Sequence, residues 1–403
     1  MCPLFYNKEV PEEAVSKEML DYLEQTGRKR IKGQKKLCGV LKAEKMLIYG
    51  PLLLWYIDHG LIIKRVHRII EYEGKKIFEW FVDQVTEARR QGDTHKEKAI
   101  LADVFKLLGN SCYGKFIEAL ERQTDTTYTK NENEVDRSLR SSYFEDLEEI
   151  GEAYEITKRK EKIMIDRPFQ IGIAVYQLAK LRMLEFYYDF LDKFIDRCDY
   201  ELIQMDTDSN YIAISGEKLE DVIKPELLKE FEACKKEWLA WDKFSKRTPG
   251  LFKLEFEGDR AIALCSKAYF VEKVEGERNC KHSAKGVSAR QNALTWERYK
   301  TVLEGNIDKA ENRGFRMVDG TMRTYTQKKL GLSAYYDKRY VLDGIHTQPL
   351  EYIEKEKEKL DEDQKETDTF DEEELGFDDD EMEEPGFDDD EDDDEFTFDD
   401  IYL

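Results

Sequence analysis

The chain lacks the cysteine and histidine spacing that a structural zinc site needs. Its seven cysteines stand at 2, 38, 112, 198, 234, 265 and 280 with no CxxC pair, and its five histidines are scattered. The odd cysteine count speaks against a disulfide framework and for reduced intracellular thiols. Long apolar runs are also missing. The most apolar stretch, Pro51 to Ile63, is broken by Asp58 and His59. It is too short to span a bilayer, so no membrane partner is expected. The first residues do not have the composition of a secretory leader. An overall excess of positive charge is absent too. The formal net charge is −24, but residues 361–403 hold 25 Asp and Glu against one Lys, leaving 63 basic and 63 acidic residues in the other 360. A neutral body with an acidic tail does not exclude nucleic acid, because a local basic channel is what binds it. A length of 403 residues allows two or three domains and a large core.

What is present centres on residues 200–214, YELIQMDTDSNYIAI. Both flanks are rich in β-branched and aromatic residues and read as strands. The polar centre reads as a hairpin tip. Asp206 and Asp208 are two apart, so an extended backbone points both carboxylates the same way. Two such carboxylates repel unless a cation or a proton lies between them. Mg²⁺ takes one or two carboxylates plus substrate phosphates, so a hard divalent ion suits the pair. Taken alone, the stretch also reads as a solvated Asp-rich turn.

A second stretch, KLLGNSCYG at 106–114, continues a helical pattern that begins near Lys96. Lys106, Asn110 and Tyr113 share one helix face at i, i+4 and i+7. A cation, an amide and an aromatic ring suit a phosphate, a sugar and a base. Ala99, Ile100, Val104, Phe105, Leu107 and Leu108 are expected to form the buried remainder. The plainer alternative is a surface Lys, an Asn near a helix end and a half-buried Tyr.

Together and in this order the two stretches resemble motifs B and C of the family B DNA polymerases. Lys267-Ala268-Tyr269 resembles that family's KxY motif, with Leu254–Glu257 as the strand leading into it. The compact segment around motif B and the run YYDKRY at 335–340 resemble the protein-primed branch found in Maverick/Polinton-type transposons and related viruses. The resemblance implies an α+β right-hand fold: a partial palm with an antiparallel sheet, helical-hairpin fingers and a thumb, followed by a disordered acidic tail. It implies Asp206 and Asp208 as catalytic metal ligands for two Mg²⁺ ions, with Mn²⁺ as a substitute. It implies Lys106, Asn110, Tyr113 and Arg90 as nucleotide-binding residues, and Lys267, Tyr269 and Gly114 as DNA-binding residues. The implied partners are primer-template DNA, deoxynucleoside triphosphates and a terminal priming protein. The implied location is the nucleus of a eukaryote or a viral factory. One motif departs from the pattern. Residues 1–105 contain no DxxSLYPS-type motif A, which should supply another metal-binding Asp. The expectation is a C-terminal fragment that also lacks the exonuclease domain.

The remaining stretches are placed around these motifs. Residues 1–60 read as a partial palm or lead-in, with a helix from Glu12 to Gln25 and a basic loop from Arg28 to Lys36 that suits phosphate, a nuclear address or plain solvation. Residues 61–114 read as fingers: a strand from Leu61 to Glu73, a helix from Ile77 to Gln91, then the motif B helix. The resemblance implies that one of Arg89 and Arg90 reaches the triphosphate. Adjacent helix residues face different ways, so both cannot, and Arg90 is taken. The alternative is a solvent-exposed pair at the helix C-terminus. Residues 115–275 read as palm, with a polar loop holding one short helix at Asn131–Glu152, an amphipathic helix over 167–195, a helix at Lys218–Trp241, and strands at Leu251–Glu257, Ala261–Cys265 and Ala268–Glu275. Residues 276–350 read as thumb, helical at Gln291–Gly305 and basic at Arg313, Arg316, Arg323, Lys328 and Lys329. Residues 351–403 carry GFDDDE twice and too few apolar residues for a core. Two other function classes stand beside the polymerase: a DNA-binding remnant without catalysis, and an interaction protein working through its acidic tail.

Overall fold

The computed structural model describes residues 4–31, 33–150, 153–274, 279–318, 321–343 and 346–352, with backbone only at 121, 150, 315–318, 321, 323 and 325. The acidic tail expected from Asp361 onward lies outside the described residues. Helices and antiparallel strands are mixed along the chain, which fits the α+β class. The fold divides into two units, one holding residues up to 44, 303–307 and from 334 onward, the other 45–302 and 308–333.

In the first unit, β1 (Leu4–Glu9) pairs antiparallel with β2 (Lys35–Val40), and α1 (Lys17–Gln25) lies between them in sequence. Val10, Ala14, Val15, Met19 and Cys38 form a core with Val341 and Leu350. Burial pushes the Cys38 thiol above its ordinary value. The basic loop and the 335–340 run meet here. Asp337 is buried, accepts hydrogen bonds from Lys36 Nζ and, at 3.0 Å, from Tyr335 Oη, and has Arg30 Nε 4.0 Å away. Arg30 Nη2 also donates to the Val10 carbonyl at 2.6 Å. Two of the loop's cations are thus committed to a buried carboxylate and a backbone carbonyl.

The second unit begins with α2 (Gly50–Asp58), α3 (Glu79–Thr94) and α4 (Ala99–Phe116). The last two form a helical hairpin joined by a short turn. A three-stranded sheet follows, with β3 (Thr124–Thr129) and β4 (Phe144–Ile150) on either side of β5 (Ala153–Arg159), and α5 (Glu132–Leu139) inserted. The long helix α6 (Phe169–Glu185) runs through a π-helical turn, Phe186–Leu191, into α7 (Asp192–Phe194). The wider turn brings Phe186, Phe190 and Phe194 onto one buried side. They meet Phe231 and Trp238 of α8 (Leu228–Trp238) and Phe252, with Phe186 stacked on Phe252 at 3.9 Å. Arg182 closes this core: Nε donates to the Gly250 carbonyl, Nη2 to the Glu237 carbonyl, and the guanidinium lies 4.0 Å from the Trp238 ring centre.

Beside this core stand two sets of strands. β6 (Tyr200–Asp206) pairs with β7 (Ser209–Ile214), and β9 (Ala268–Lys273) lies between β8 (Arg260–Cys265) and β10 (Asn279–Ala284). After α9 (Trp296–Leu303), β11 (Lys309–Val318) and β12 (Thr321–Leu330) form a long hairpin.

Several expected elements differ. Leu61–Glu73 is not a strand: it has no ladder partners, and it leaves Ile62, Ile69 and Ile70 exposed. β-branched alternation favours a strand, yet a strand forms only where another backbone supplies its hydrogen bonds. Leu251–Glu257 likewise keeps only the bridge at Phe252. The polar stretch Asn131–Glu152 holds the one short helix expected of it, and a strand in place of the remaining loop, and Lys218–Trp241 is helical mainly over α8. Only Trp296–Leu303 of Gln291–Gly305 is helical, and the basic stretch after it is a two-stranded ladder. Among the described residues, no helix is long and apolar enough to cross a membrane.

Candidate active site

The site is built from two hairpin tips. Asp206 ends β6, Thr207 and Asp208 form a two-residue turn, and Ser209 starts β7 opposite Asp206. Thr207 has φ +31°, in the left-handed region that a β-branched residue rarely adopts. A positive φ at the first loop position is the pattern of a type II′ hairpin, where glycine is usual. The turn also corrects the alternation argument. Asp208 lies in the turn, so the two carboxylates do not share one face of an extended strand. The Thr207 hydroxyl donates to Asp206 Oδ1 at 3.2 Å, and the Ser209 hydroxyl donates to the Asp206 carbonyl at 3.2 Å.

The second tip is also a two-residue turn, with its positive φ on the second loop residue instead of the first. Ser266 and Lys267 turn β8 into β9, with Lys267 at φ +63°. Its carbonyl accepts from the Ser283 hydroxyl and the Lys285 N–H, both at 3.1 Å. The tips meet: Lys267 Nζ lies 3.8 Å from Asp206 Oδ2. Behind them, the Tyr211 and Tyr269 rings stand 4.6 Å apart. Burial, and then a hydrogen bond with Tyr269, push the Tyr211 hydroxyl well above its ordinary value. Glu255, on the segment before β8, bonds to Lys281 of β10 and pairs with Lys253 at 3.0 Å. These two ammonium groups hold its carboxyl down at about 2.

Helix α4 approaches the first tip from the other side. All of 106–114 is helical, so Lys106, Asn110 and Tyr113 do share a face. Tyr113 packs edge-on against Tyr176 of α6 at 5.6 Å. Burial raises its hydroxyl pKa, with Tyr176 and the charge of Asp208 adding to the rise. Tyr113 is therefore near the DTD turn. Lys106 and Asn110 are exposed and make no hydrogen bond or ion pair among the described residues. A Cβ on Gly114 would meet nothing within 4 Å. Arg90 is engaged elsewhere: its guanidinium stacks 3.6 Å over the Phe244 ring and donates to Thr248 Oγ1 at 3.3 Å. The neighbouring turn is clasped by Arg247, bidentate to Asp93 at 2.6 Å.

Sequence reasoning missed Tyr211 and Tyr176, the two rings that lock Tyr269 and Tyr113 in place. The only signal for Tyr211 was its strand position directly after the DTDSN stretch. For Tyr176 there was none, because its partner lies 63 residues away on another helix.

A divalent cation fits this patch in part. The carboxylates of Asp206 and Asp208 are the right donors for a hard ion that keeps several waters. The buried side-chain amides of Gln204 and Asn210 have no hydrogen-bond partner within the protein, which leaves polar atoms for water beside the turn. Among the described residues, however, no group of three His, Cys, Asp or Glu is placed to hold a metal. The patch offers ligands for one ion, and by itself not the set for two.

A family model described as DNA polymerase type B, organellar and viral, matches residues 6–210, half of the chain. The match includes the KLLGNSCYG helix and the DTDS turn, and stops before Lys267. No curated protein and no solved structure matches the chain.

Proposed function

We propose, since the chain belongs to the organellar and viral DNA polymerases of type B, that it takes part in DNA-templated nucleotidyl transfer at the Asp206–Asp208 turn. The observation that carries this reading is the meeting of three sequence-distant motifs: Lys267 at 3.8 Å from Asp206, and Tyr113 within reach of the charge on Asp208. In the reaction a primer 3′-oxygen forms a bond to the α-phosphorus of a deoxynucleoside triphosphate, and the bond to the pyrophosphate oxygen breaks. Asp206 and Asp208 would hold the divalent ion. When bound, such an ion lowers the pKa of the attacking hydroxyl and neutralises charge on the triphosphate. Lys106, exposed on α4, neutralises phosphate charge as it develops. Asn110 orients the helix face, and Tyr113 lies against the incoming sugar. Lys267 and Tyr269 hold primer-template near its end through contacts that do not read sequence. In this reading α3 and α4 are fingers, the strand sets β6–β7 and β8–β10 are palm, and the β11–β12 hairpin belongs to the thumb. The YYDKRY run supports placing the chain in the protein-primed branch, with a terminal protein as primer.

A second reading has an observation of its own: a DNA-binding protein with little or no catalysis. It is favoured by the two-carboxylate patch, because Mg²⁺ dehydrates reluctantly and is weakly held by too few ligands. Primer extension with Mg²⁺ and four deoxynucleotides, run beside fluorescence anisotropy on the same primer-template, separates the two. We expect binding that weakens steeply with salt, because phosphate contacts dominate. We expect little extension, and none after Asp208→Asn. Extension undiminished by Asp208→Asn overturns the site, and absence of DNA binding at low salt overturns both readings.

A further inference from the structure

Lys267 is the one cation of the described residues paired with the DTD turn, and its geometry is unlike that of an ordinary surface ion pair. Its backbone is pinned: the φ of +63° fixes the tip, and two donors hold its carbonyl. The Tyr211–Tyr269 contact holds the two hairpins side by side without help from the ion pair. The ammonium is therefore not needed to join the hairpins. It is half exposed, at 51%, while Asp206 is 28% exposed, and 3.8 Å is too long for a hydrogen bond. Asp206 Oδ1 already accepts from Thr207, which leaves Oδ2 facing the ammonium. A carboxylate with a second carboxylate two residues away is relieved by a nearby positive charge. The tip thus carries a movable charge on a fixed base, beside the oxygen a divalent ion would use.

We propose that Lys267 is the resident counter-ion of Asp206: its ammonium neutralises the carboxylate until a divalent cation displaces it, and the released ammonium then takes a DNA phosphate. The proposal rests on the reading of the turn as a metal site. It makes cation loading and primer-template binding favour each other, because one side chain leaves the first site to serve the second.

The test is a Mn²⁺ titration of the full chain without DNA or nucleotide, following unbound Mn²⁺ by electron paramagnetic resonance. Lys267→Met keeps the length and removes the charge. It should tighten Mn²⁺ binding by roughly two- to fivefold, the range that an exposed ion pair is worth. Asp206→Asn should cancel that gain, so the double variant binds like Asp206→Asn alone. Lys267→Arg should stay within about twofold of wild type on the same scale. Lys193→Met, which removes a cation paired with Glu230 instead, controls for net charge and should change nothing. Unchanged, weaker or undetectable Mn²⁺ binding by Lys267→Met overturns the proposal. So does a gain that survives Asp206→Asn or is matched by Lys193→Met. Thermal melts of every variant exclude misfolding as the cause. Primer-template anisotropy on the same samples keeps the two claims apart. Normal DNA binding with a flat Mn²⁺ comparison removes the counter-ion and leaves the polymerase reading. No DNA binding by the wild type with the Mn²⁺ gain intact does the reverse, whereas weaker DNA binding confined to Lys267→Met is the expected result of losing a phosphate contact.

Discussion

The α3–α4 hairpin and the α6–α8 core are both rich in apolar residues and differ sharply in burial. On α4, Ile100 is 80% exposed and Leu107 67%, whereas Phe190 at the π turn is 1% exposed and Phe231 of α8 none. Neither α3 nor α4 has a buried residue. Apart from local contacts such as Tyr113 on Tyr176 and Arg90 on Phe244, the two helices have mainly each other to pack on, and close backbones make that contact. Gly92 is the clearest case: a Cβ there would stand 2.3 Å from Ala102 Cβ. α6 has more to work with. Its π turn aims three phenylalanines at α8 and Phe252, and a continuous aromatic core results. Periodicity tells which residues share a face; it does not tell whether anything covers that face. Helix α4 is thus anchored at its Tyr113 end, against Tyr176, and lies open toward its start. Few buried apolar contacts mean low local stability, as expected of an element that moves with a ligand.

The largest effect should come from emptying the aromatic core. Phe190→Ala should cost about 3–5 kcal/mol, the sum of lost burial and the cavity left behind. Leu107→Ala, the same kind of truncation on the exposed helix, should cost roughly 0.5 kcal/mol or less. Denaturant unfolding of both variants measures the gap. Similar costs would mean that the apolar face of α4 is covered in solution, and the contrast between the two regions would collapse.

The glycine contact gives the next effect in size. Gly92→Ala forces a methyl group into Ala102 and should destabilise by about 1–3 kcal/mol, the usual cost of overpacking. Gly114→Ala, with open space around it, should be neutral or stabilising by up to about 1 kcal/mol through helix propensity. Hydrogen exchange across α3 and α4 would localise the damage. If Gly92→Ala exchanges like wild type there, the helices are not held by close approach.

What was legible in the sequence follows the same divide. The helices over 79–116 and 169–194 and the hairpin at Asp206–Ser209 could be read, because their patterns are local. The site's three motifs could be read as types of residue. Their contacts could not, because Lys267 reaches Asp206 across 61 residues and Tyr113 finds Tyr176 on another helix. Leu61–Glu73 was misread because strand propensity was taken for a strand, and propensity does not supply a pairing partner. The basic loop was read as phosphate-binding or solvated, and two of its cations instead hold Asp337, about 300 residues on. The stretch at 206–208 was read as a hairpin tip, but its two carboxylates were aimed by extended-strand alternation, because nothing in the sequence DTD announces a threonine in the left-handed region.

The smallest effect concerns the ion cluster beside the site, where the α6–α8 pattern of burial gives way to exposed charge. The Glu255 carboxyl is lowered to about 2 from an ordinary 4.5, first by its bond to Lys281 and then by Lys253. A carboxylate lowered in the folded state contributes stability above its unfolded pKa and loses it as pH falls through the folded one. The contribution should thus be full above pH 4.5 and fade toward pH 2. Glu255 is 51% exposed, so solvent screens the pairs and the effect should stay below about 1 kcal/mol. Denaturant unfolding of wild type and Glu255→Gln at pH 6, 4 and 3 tests this. Wild type should be the more stable at pH 6, with the gap narrowing at each lower pH. A gap that stays constant would assign the loss to packing of the side chain, and the two lysines would then have no electrostatic part in holding the segment before β8 against β10.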